Sequence, residues 1–429
     1  MGFLSDRSFD CEPLSRDTRG CPKHLNGVRL QGRDGAPNAC CCRGASARFA
    51  ARTQLLGLIP VRRAILVTGH YALSKRRAGF HWIAEAFTVS GWHVTFITVG
   101  FSQLSRLKVD HRFQYGFPGG ANRVLEVDAH LDSYVWFTPY HPLNRLPALG
   151  NLLLGYLFRG YGRLPMAGVE QAIAGADLIV FESTSGLMLV DRFRAWAPQA
   201  RMVYRVSDDL RLLRAHPVVL EADRRALPTL DLVSVPNDYI KQGFLGHPNV
   251  ELHPHGIDTS LFDAPSTNPF DTSVSCHAVF VGTSHLDRVF IDTAVRQFPD
   301  WQFHVIGPLG DIPTHPNLRV YGELPFGATV PFIAHADIGL ATRSYAPGAE
   351  SLADSLKVVQ YTYAGLPIVA PDFMKSRRNN VFLYKPGDPE SINSALKAAR
   401  AMDRSTVDRG GIWSWSDLAK AVAGPDLWP

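Results

Sequence analysis

The sequence predicts an α/β protein of two doubly wound, parallel-sheet units facing across a cleft, behind an N-terminal leader. Three observations predict it. At 429 residues the chain is too long for one compact domain and comfortable for two. Short continuous apolar runs alternate with amphipathic helical patterns, twice over, with a pattern-poor stretch between them. The third is an uneven distribution of charge. Residues 1–62 carry 10 Lys+Arg against 5 Asp+Glu, residues 63–256 carry 20 against 16, and residues 257–429 carry 14 against 18. The overall +5 therefore equals the excess of the first 62 residues, and the remaining +4 and −4 cancel.

Residues 1–62 read as a disordered leader. They hold five of the six cysteines (Cys11, Cys21, Cys40, Cys41, Cys42), but adjacent cysteines cannot all point at one tetrahedral ion, and no second CxxC or His pair complements them. The longest apolar run there, Leu55–Pro60, is too short for a signal peptide. Only Cys276 stands in the body, so no disulfide framework is expected and a reducing compartment is the default. No stretch approaches 18 uninterrupted apolar residues, so no membrane span is expected. The absence of a basic excess outside the leader argues against a nucleic-acid binder.

Order begins at Val61. Ala64–Thr68 is a strand buried on both faces, Phe80–Ser90 a helix closed by Gly91, and Trp92–Val99 the next strand. Ser133–Thr138, Asp177–Glu182, Arg201–Val206, Asp231–Val235 and Val250–His253 continue the strands of a first domain over 63–256, with a helix-rich stretch from Asn144 to about Ala174. Pro254–Ser275 reads as the interdomain linker. A second domain over 275–404 carries strands at Ala278–Gly282, Trp301–Gly307, Leu318–Gly322, Ile338–Ala341 and Pro367–Ala370. Its helices fall at Asp287–Gln297, Phe326–His335 and Asp354–Ala364. Residues 405–429 form a C-terminal segment. Ligands of such sheets bind outside the strand carboxyl ends.

The chemistry is expected there. Asp354-Ser355 caps a helix that ends at Gly365, and a helix N-terminus stabilises a pyrophosphate. Lys357 in its first turn opposes the helix dipole unless an anionic ligand is bound. Glu323 follows the Leu318–Gly322 strand, where a carboxylate can accept hydrogen bonds from ribose hydroxyls. Gly282-Thr283-Ser284 makes a small turn through which backbone can approach phosphate. Neither GxGxxG nor GxxxxGK[ST] occurs, which argues against dinucleotide oxidoreductases and P-loop NTPases. In the first domain Asp208 and Asp209 follow a buried strand. Asp209 suits a helix N-cap before Leu210–Leu213, which leaves Asp208 as the candidate general base. His70 and His141 occupy loop positions and read as surface or satisfied histidines.

Taken in order, Phe181-Glu182-Ser183, Val203–Asp208, His255–Asp258, His304–Gly307, Val320–Glu323, Ala353-Asp354-Ser355 with Lys357, Gln360-Tyr361 and Gly365-Leu366-Pro367 resemble a known family. Leu104–Lys108, His141–Asn144 and Trp415-Ser416-Asp417 add to the set. The family is the xanthan-type, membrane-associated β-glucuronosyltransferases of the GumK kind, glycosyltransferase family 70, and the resemblance spans about Ala64 to Asp417. It implies a GT-B fold of two Rossmann-like domains. It also implies transfer of glucuronate from a UDP-sugar to a polyprenyl-pyrophosphate-linked oligosaccharide in exopolysaccharide synthesis. That transfer would invert the anomeric centre, need no metal or other cofactor, and occur peripherally at the cytoplasmic face of the inner membrane. The family's R-x-S-D aspartate falls on Asp208, its UDP-contacting glutamate on Glu323, and its donor-binding Ser, Lys and Gln on Ser355, Lys357 and Gln360. Thr283 and Ser284 fall in the first donor loop. Family methionines are replaced by Ser284 or His285 and by Leu324. A family tyrosine aligns with Arg343 or, with a shifted gap, Tyr345, and there is one residue fewer between Ser355 and Lys357. These departures ring the uracil and the sugar, and Arg343 is the natural partner of a C6 carboxylate. Retaining GT-B enzymes carry two glutamates where this chain has Leu352 and Gln360, which supports inversion.

Lys75, Arg76, Arg77, Arg106, Lys108 and Arg112 give the first domain a basic side expected to face the acceptor and an anionic membrane. Leu149–Leu164 mixes apolar and aromatic residues with Arg159 and Arg163, as an interfacial segment does and as a core helix with solvated arginines also does. Two other functions fit the same residues: transfer of another UDP-hexose to a soluble acceptor, and nonenzymatic UDP-sugar binding.

Overall fold

The computed structural model describes residues 61–74, 77–106, 120–144, 148–283 and 285–428. The leader at 1–60, together with Lys75, Arg76, Lys108, Arg112 and Ser284, lies outside the described residues. Val61–Pro429 is one compact unit with two large sheets and a third of two short strands.

The first sheet begins with β1 (Arg63–Thr68), whose last five residues are all buried. Fully burying a Leu, Ile or Val side chain is worth about 1.5–3 kcal/mol. The strands that follow are β2 (His93–Ser102), β3 (Val124–Asp128), β4 (Leu131–Thr138), β5 (Leu178–Glu182), β6 (Arg201–Arg205), β7 (Leu232–Val235) and β8 (Val250–Leu252). Their order is β3-β4-β2-β1-β5-β6-β7-β8. All pairs are parallel except β3 with β4, so the sheet is doubly wound with an antiparallel edge.

Sequence periodicity does not reveal β3. Its five residues lie on the outermost strand and none is buried, so Val-Leu-Glu-Val-Asp carries no buried-strand signature.

The 254–275 stretch is more ordered than its pattern predicts. It contains β9 (Gly256–Ile257) and a helix at Thr259–Asp263.

The second sheet comprises β10 (His277–Val281), β11 (Gln302–Ile306), β12 (Leu318–Gly322), β13 (Ile338–Leu340), β14 (Ile368–Pro371) and β15 (Val381–Tyr384). It runs β12-β11-β10-β13-β14-β15, parallel throughout. The β12 and Phe326–His335 bounds match the periodicity, whereas β15 and the helix Pro389–Ala401 add a further α/β step. Cys276 is fully buried in this core, and burial pushes its thiol well above the ordinary range.

The C-terminal segment is not a separate appendage. After β16 (Trp413–Ser414) pairs with β9, the helix Trp415–Ala423 packs on the first sheet's side of the molecule. Trp415, Leu418 and Val422 join Phe80, Ile83, Phe87 and Trp92 in one apolar cluster, and Trp415 stacks on Trp82 at 6.4 Å. Its Ser414–Asp417 capping box fixes where the helix starts. The last helix thus ties the second lobe back to the first.

Candidate active site

In the second lobe the ends of β10, β11 and β12 are locked by backbone. Gly282 N–H donates to Ile306 at 2.9 Å and Gly307 N–H to Gly322 at 2.7 Å. Gly307 has φ +147°, and a Cβ there would lie 1.7 Å from the Gly282 carbonyl oxygen, so a side chain cannot be accommodated. Gly282 is needed for a different reason. A Cβ on it would come within 2.9 Å of the Phe280 ring and 3.0 Å of the Lys357 Nζ.

That space holds an ammonium group. Lys357 is the second residue of the helix Leu356–Tyr363, and its Nζ sits 3.6 Å from the Phe280 ring centroid. Burial, and then repulsion from Arg343, pushes its pKa down to about 7. The lysine is half-buried, with its ammonium end over the Phe280 ring. No carboxylate among the described residues pairs with it. Arg343, past the end of β13, has a buried Nε without a hydrogen-bond partner, and burial lowers its pKa too. Two adjacent, under-neutralised cations are unfavourable in the unliganded fold and favourable beside a polyanion.

Ser355 is the N-cap of this helix, yet its hydroxyl makes no capping bond. Asp354 does not cap either, because it accepts from Arg378 Nε at 2.7 Å. The first-turn amides thus remain available to a ligand. Gln360, one turn after Lys357 on the same face, is 8% exposed. Thr283 is exposed on the loop after β10. Tyr345 is 60% exposed, edge-on to Phe373, with its hydroxyl 3.4 Å from Glu350. Glu323 follows β12 on the outermost strand and is exposed, two strands away from Gly282.

In the first lobe, neighbouring strands β1, β5 and β6 deliver their next residues to one edge, in the register Val67–Phe181–Tyr204. Glu182, 7% exposed, ends β5. One of its oxygens accepts hydrogen bonds from the Thr68 hydroxyl and from Gly69 N–H, the latter at 3.3 Å, and the other lies 3.6 Å from His70 Nε2. Asp208 stands three residues past β6. Burial first, and then the Glu182 charge, raise its carboxyl above the ordinary range; His70 and Arg343 oppose the rise, and Asp209 adds slightly to it. Arg343 is within electrostatic reach of both Asp208 and Lys357.

Asp209 plays a different part from its neighbour, and not as a helix cap. Residues 210–214 form turns, Arg211 N–H donates to Asp209 Oδ1 at 2.8 Å, and the Arg211 guanidinium clasps both oxygens. His141 is buried, with its Nδ1 2.7 Å from the Ser102 hydroxyl, so it is a satisfied histidine.

Beside this edge lies a cleft of about 780 Å³, lined among others by Asn144, Ser183, Thr184, Ser185, Arg214 and His216. The helix Ala148–Phe158 borders it, since His216 Nε2 is 3.1 Å from the Asn151 carbonyl. Phe158 is buried, while Leu152, Leu153, Tyr156 and Leu157 are 73, 69, 84 and 45% exposed. No helix among the described residues is long and apolar enough to cross a membrane. Of the basic residues singled out for an outward face, Arg77 is held locally. It pairs closely with Glu85, stacks on Trp82 at 3.8 Å and donates to the His81 carbonyl. Arg106 closes the short helix Gln103–Arg106, 5.7 Å from the Phe137 ring.

Sequence reasoning did not anticipate Phe280 as the platform for Lys357, or Glu182 as a neighbour of Asp208. Glu182 carries a readable signal, a carboxylate ending a fully apolar strand, but its meaning depends on β1, β5 and β6 being adjacent.

Comparison with known proteins adds to this geometry. The family described as "Glucuronosyltransferase GumK, N-terminal domain" matches residues 66–236. The chain is 30% identical over 370 residues to the UDP-glucuronate:glycolipid 2-beta-glucuronosyltransferase of Xanthomonas campestris pv. campestris, covering 85% of this chain and 90% of that protein. It is 26% identical over 194 residues to the putative teichuronic acid biosynthesis glycosyltransferase TuaH of Bacillus subtilis (strain 168), covering 40% of this chain and 48% of the relative. Among solved structures, sucrose-phosphate synthase from Thermosynechococcus elongatus superposes with TM-score 0.55 at 14% identity, over 86% of this chain and 95% of that one. That likeness speaks to the fold alone, which is the two-lobed GT-B architecture.

Proposed function

The chain belongs to the GumK glucuronosyltransferase family, and from that membership we propose that it transfers glucuronate from UDP-glucuronate to a polyprenyl-pyrophosphate-linked oligosaccharide, with inversion. The observation that carries the proposal is the Lys357 ammonium held over Phe280 and beside Gly282 at the start of the Leu356–Tyr363 helix, with Arg343 within electrostatic reach of both Lys357 and Asp208. A base with raised proton affinity on one lobe faces unneutralised cations on the other, which is what transfer from a nucleotide sugar needs.

In this reading the UDP pyrophosphate lies at the start of the helix Leu356–Tyr363, against its free amides, the Ser355 hydroxyl and Lys357. Gln360, Thr283, Ser284, Tyr345 and Glu323 contribute to the nucleoside and sugar sides, and Arg343 takes the C6 carboxylate. Asp208 accepts the proton of the acceptor hydroxyl as that oxygen bonds to the anomeric carbon from the face opposite UDP. The bond from the anomeric carbon to UDP breaks, UDP leaves with the electron pair, and Lys357, Arg343 and the helix amides hold its charge. We assign the leaving-group stabilisation to these groups and propose that no metal is required.

The 780 Å³ cleft is the acceptor site in this account. The exposed Leu152, Leu153 and Tyr156 at its border rest on the membrane that carries the lipid, at its cytoplasmic face, with Arg106 toward anionic headgroups.

Replacing Asp208 by Asn tests the core of the proposal. It should reduce transfer by about 10³-fold or more while leaving UDP-glucuronate affinity within about twofold. Turnover comparable to wild type would remove Asp208 from the chemistry.

A further inference from the structure

We propose that Glu182 is a positioning residue, held by Thr68 and Gly69 so that it fixes His70 at the rim of the site and keeps a negative charge beside Asp208. The proposal rests on Asp208 being the base. Glu182 has an unusual setting for a carboxylate. It ends a strand whose five residues are all buried, and among the described residues it has no Lys or Arg partner. A group in that position costs stability unless its hydrogen bonds and its use offset the burial. The Thr68 hydroxyl and the Gly69 amide fix one oxygen. Thr68 is itself locked, because its hydroxyl oxygen accepts from His70 N–H at 3.1 Å. The other oxygen faces His70 Nε2 at 3.6 Å. This small closed circuit holds the imidazole, 44% exposed at its side chain, over the same strand edge that carries Asp208.

The charged groups that act on Asp208 are Glu182 from β5, His70 from the loop after β1, Arg343 from the second lobe, and Asp209 beside it. His81, hydrogen-bonded through Nε2 to the Tyr71 carbonyl, lies behind His70 at 5.8 Å between ring centroids and is also within the field of Glu182. Glu182 raises the proton affinity of Asp208, and His70 lowers it. These opposite signs distinguish a tuning role from a merely structural one.

The test is the acidic limb of kcat against pH, measured at saturating donor so that bound pyrophosphate keeps Lys357 protonated. Glu182→Gln preserves size and a hydrogen-bond acceptor but removes the charge. Its limb should move to lower pH by about half a unit to one unit, with a several-fold lower plateau because the base is weaker. His70→Gln should move the limb to higher pH. Thr68→Val, which frees the Glu182 oxygen, should lower kcat with little change in the KM for UDP-glucuronate. An unmoved limb in Glu182→Gln, or shifts of the same sign in the Glu182 and His70 variants, would overturn the inference. If Glu182→Gln does not fold, the sign of the His70→Gln shift still decides. Failure of this inference is separable from failure of the base assignment: Asp208→Asn active refutes the base, whereas Asp208→Asn inactive with an unmoved Glu182→Gln limb refutes only the inference.

Discussion

Replacing Lys357 by Met should make the unliganded protein more stable and its nucleotide binding weaker. Burial and Arg343 lower the Lys357 pKa from 10.5 to about 7. At about 1.4 kcal/mol per unit, holding this charge in the empty site costs on the order of 4–5 kcal/mol. The sign follows from linkage. The folded protein loses the proton near pH 7 and the unfolded chain only near 10.5, so the penalty is complete below pH 7 and fades as pH rises through that interval. Met keeps an apolar stem over Phe280 and removes the charge. The variant should gain a few kcal/mol at pH 6, seen as several degrees in Tm by differential scanning fluorimetry, and less at pH 8. Loss of a charge-assisted contact of about 1.5–3 kcal/mol should raise the Kd for UDP about 10- to 100-fold. Wild-type protein binding UDP at pH 8 should take up about 0.9 proton, because a pKa of about 7 leaves Lys357 mostly neutral before binding. Calorimetry in two buffers of different ionisation enthalpy measures that uptake. A Met variant no more stable than wild type when empty, and equal to it in UDP affinity, would refute the reasoning.

Gly282→Ala should displace the Lys357 ammonium and weaken UDP binding about tenfold, measured by calorimetry, with a fold penalty of about 1–3 kcal/mol, since the new Cβ also meets the fully buried Phe280 ring. Gly307→Ala should leave little folded protein by circular dichroism, because its Cβ meets backbone 1.7 Å away. A triple Leu152→Asp, Leu153→Asp, Tyr156→Asp variant should keep the wild-type Tm, as all three side chains are exposed, yet no longer float with phosphatidylglycerol-containing vesicles that carry wild type.

Much of this architecture is legible in the chain. Strands buried on both faces, such as β1, β5 and β10, announce themselves, and the helix Phe326–His335 falls where periodicity puts it. Edge strands are legible unevenly: β8 and β12 are found, whereas Val124–Asp128 and Val381–Tyr384 escape the pattern. The site divides the same way. Asp208 after a buried strand, and Ser355 with Lys357 at a helix start, follow from local order. The depth of Lys357 does not, because it depends on Phe280 and Gly282 from another strand. Asp209 misleads for a related reason: the N-cap chemistry of an aspartate also serves a turn, and Arg211 selects the turn. The last helix follows the same rule, since its crossing to the first lobe depends on Trp82 and Phe87, more than 300 residues earlier.

The account's central claim is single displacement by an acceptor activated at Asp208. The direct measurement is the anomeric configuration of the product formed from UDP-α-glucuronate and a lipid-linked oligosaccharide extract. It is read by the one-bond C–H coupling and the proton splitting of the new anomeric centre in NMR. The account predicts a β-glucuronoside from wild type and none from Asp208→Asn. An α-linked product, or a β-product formed equally well by Asp208→Asn, would contradict it.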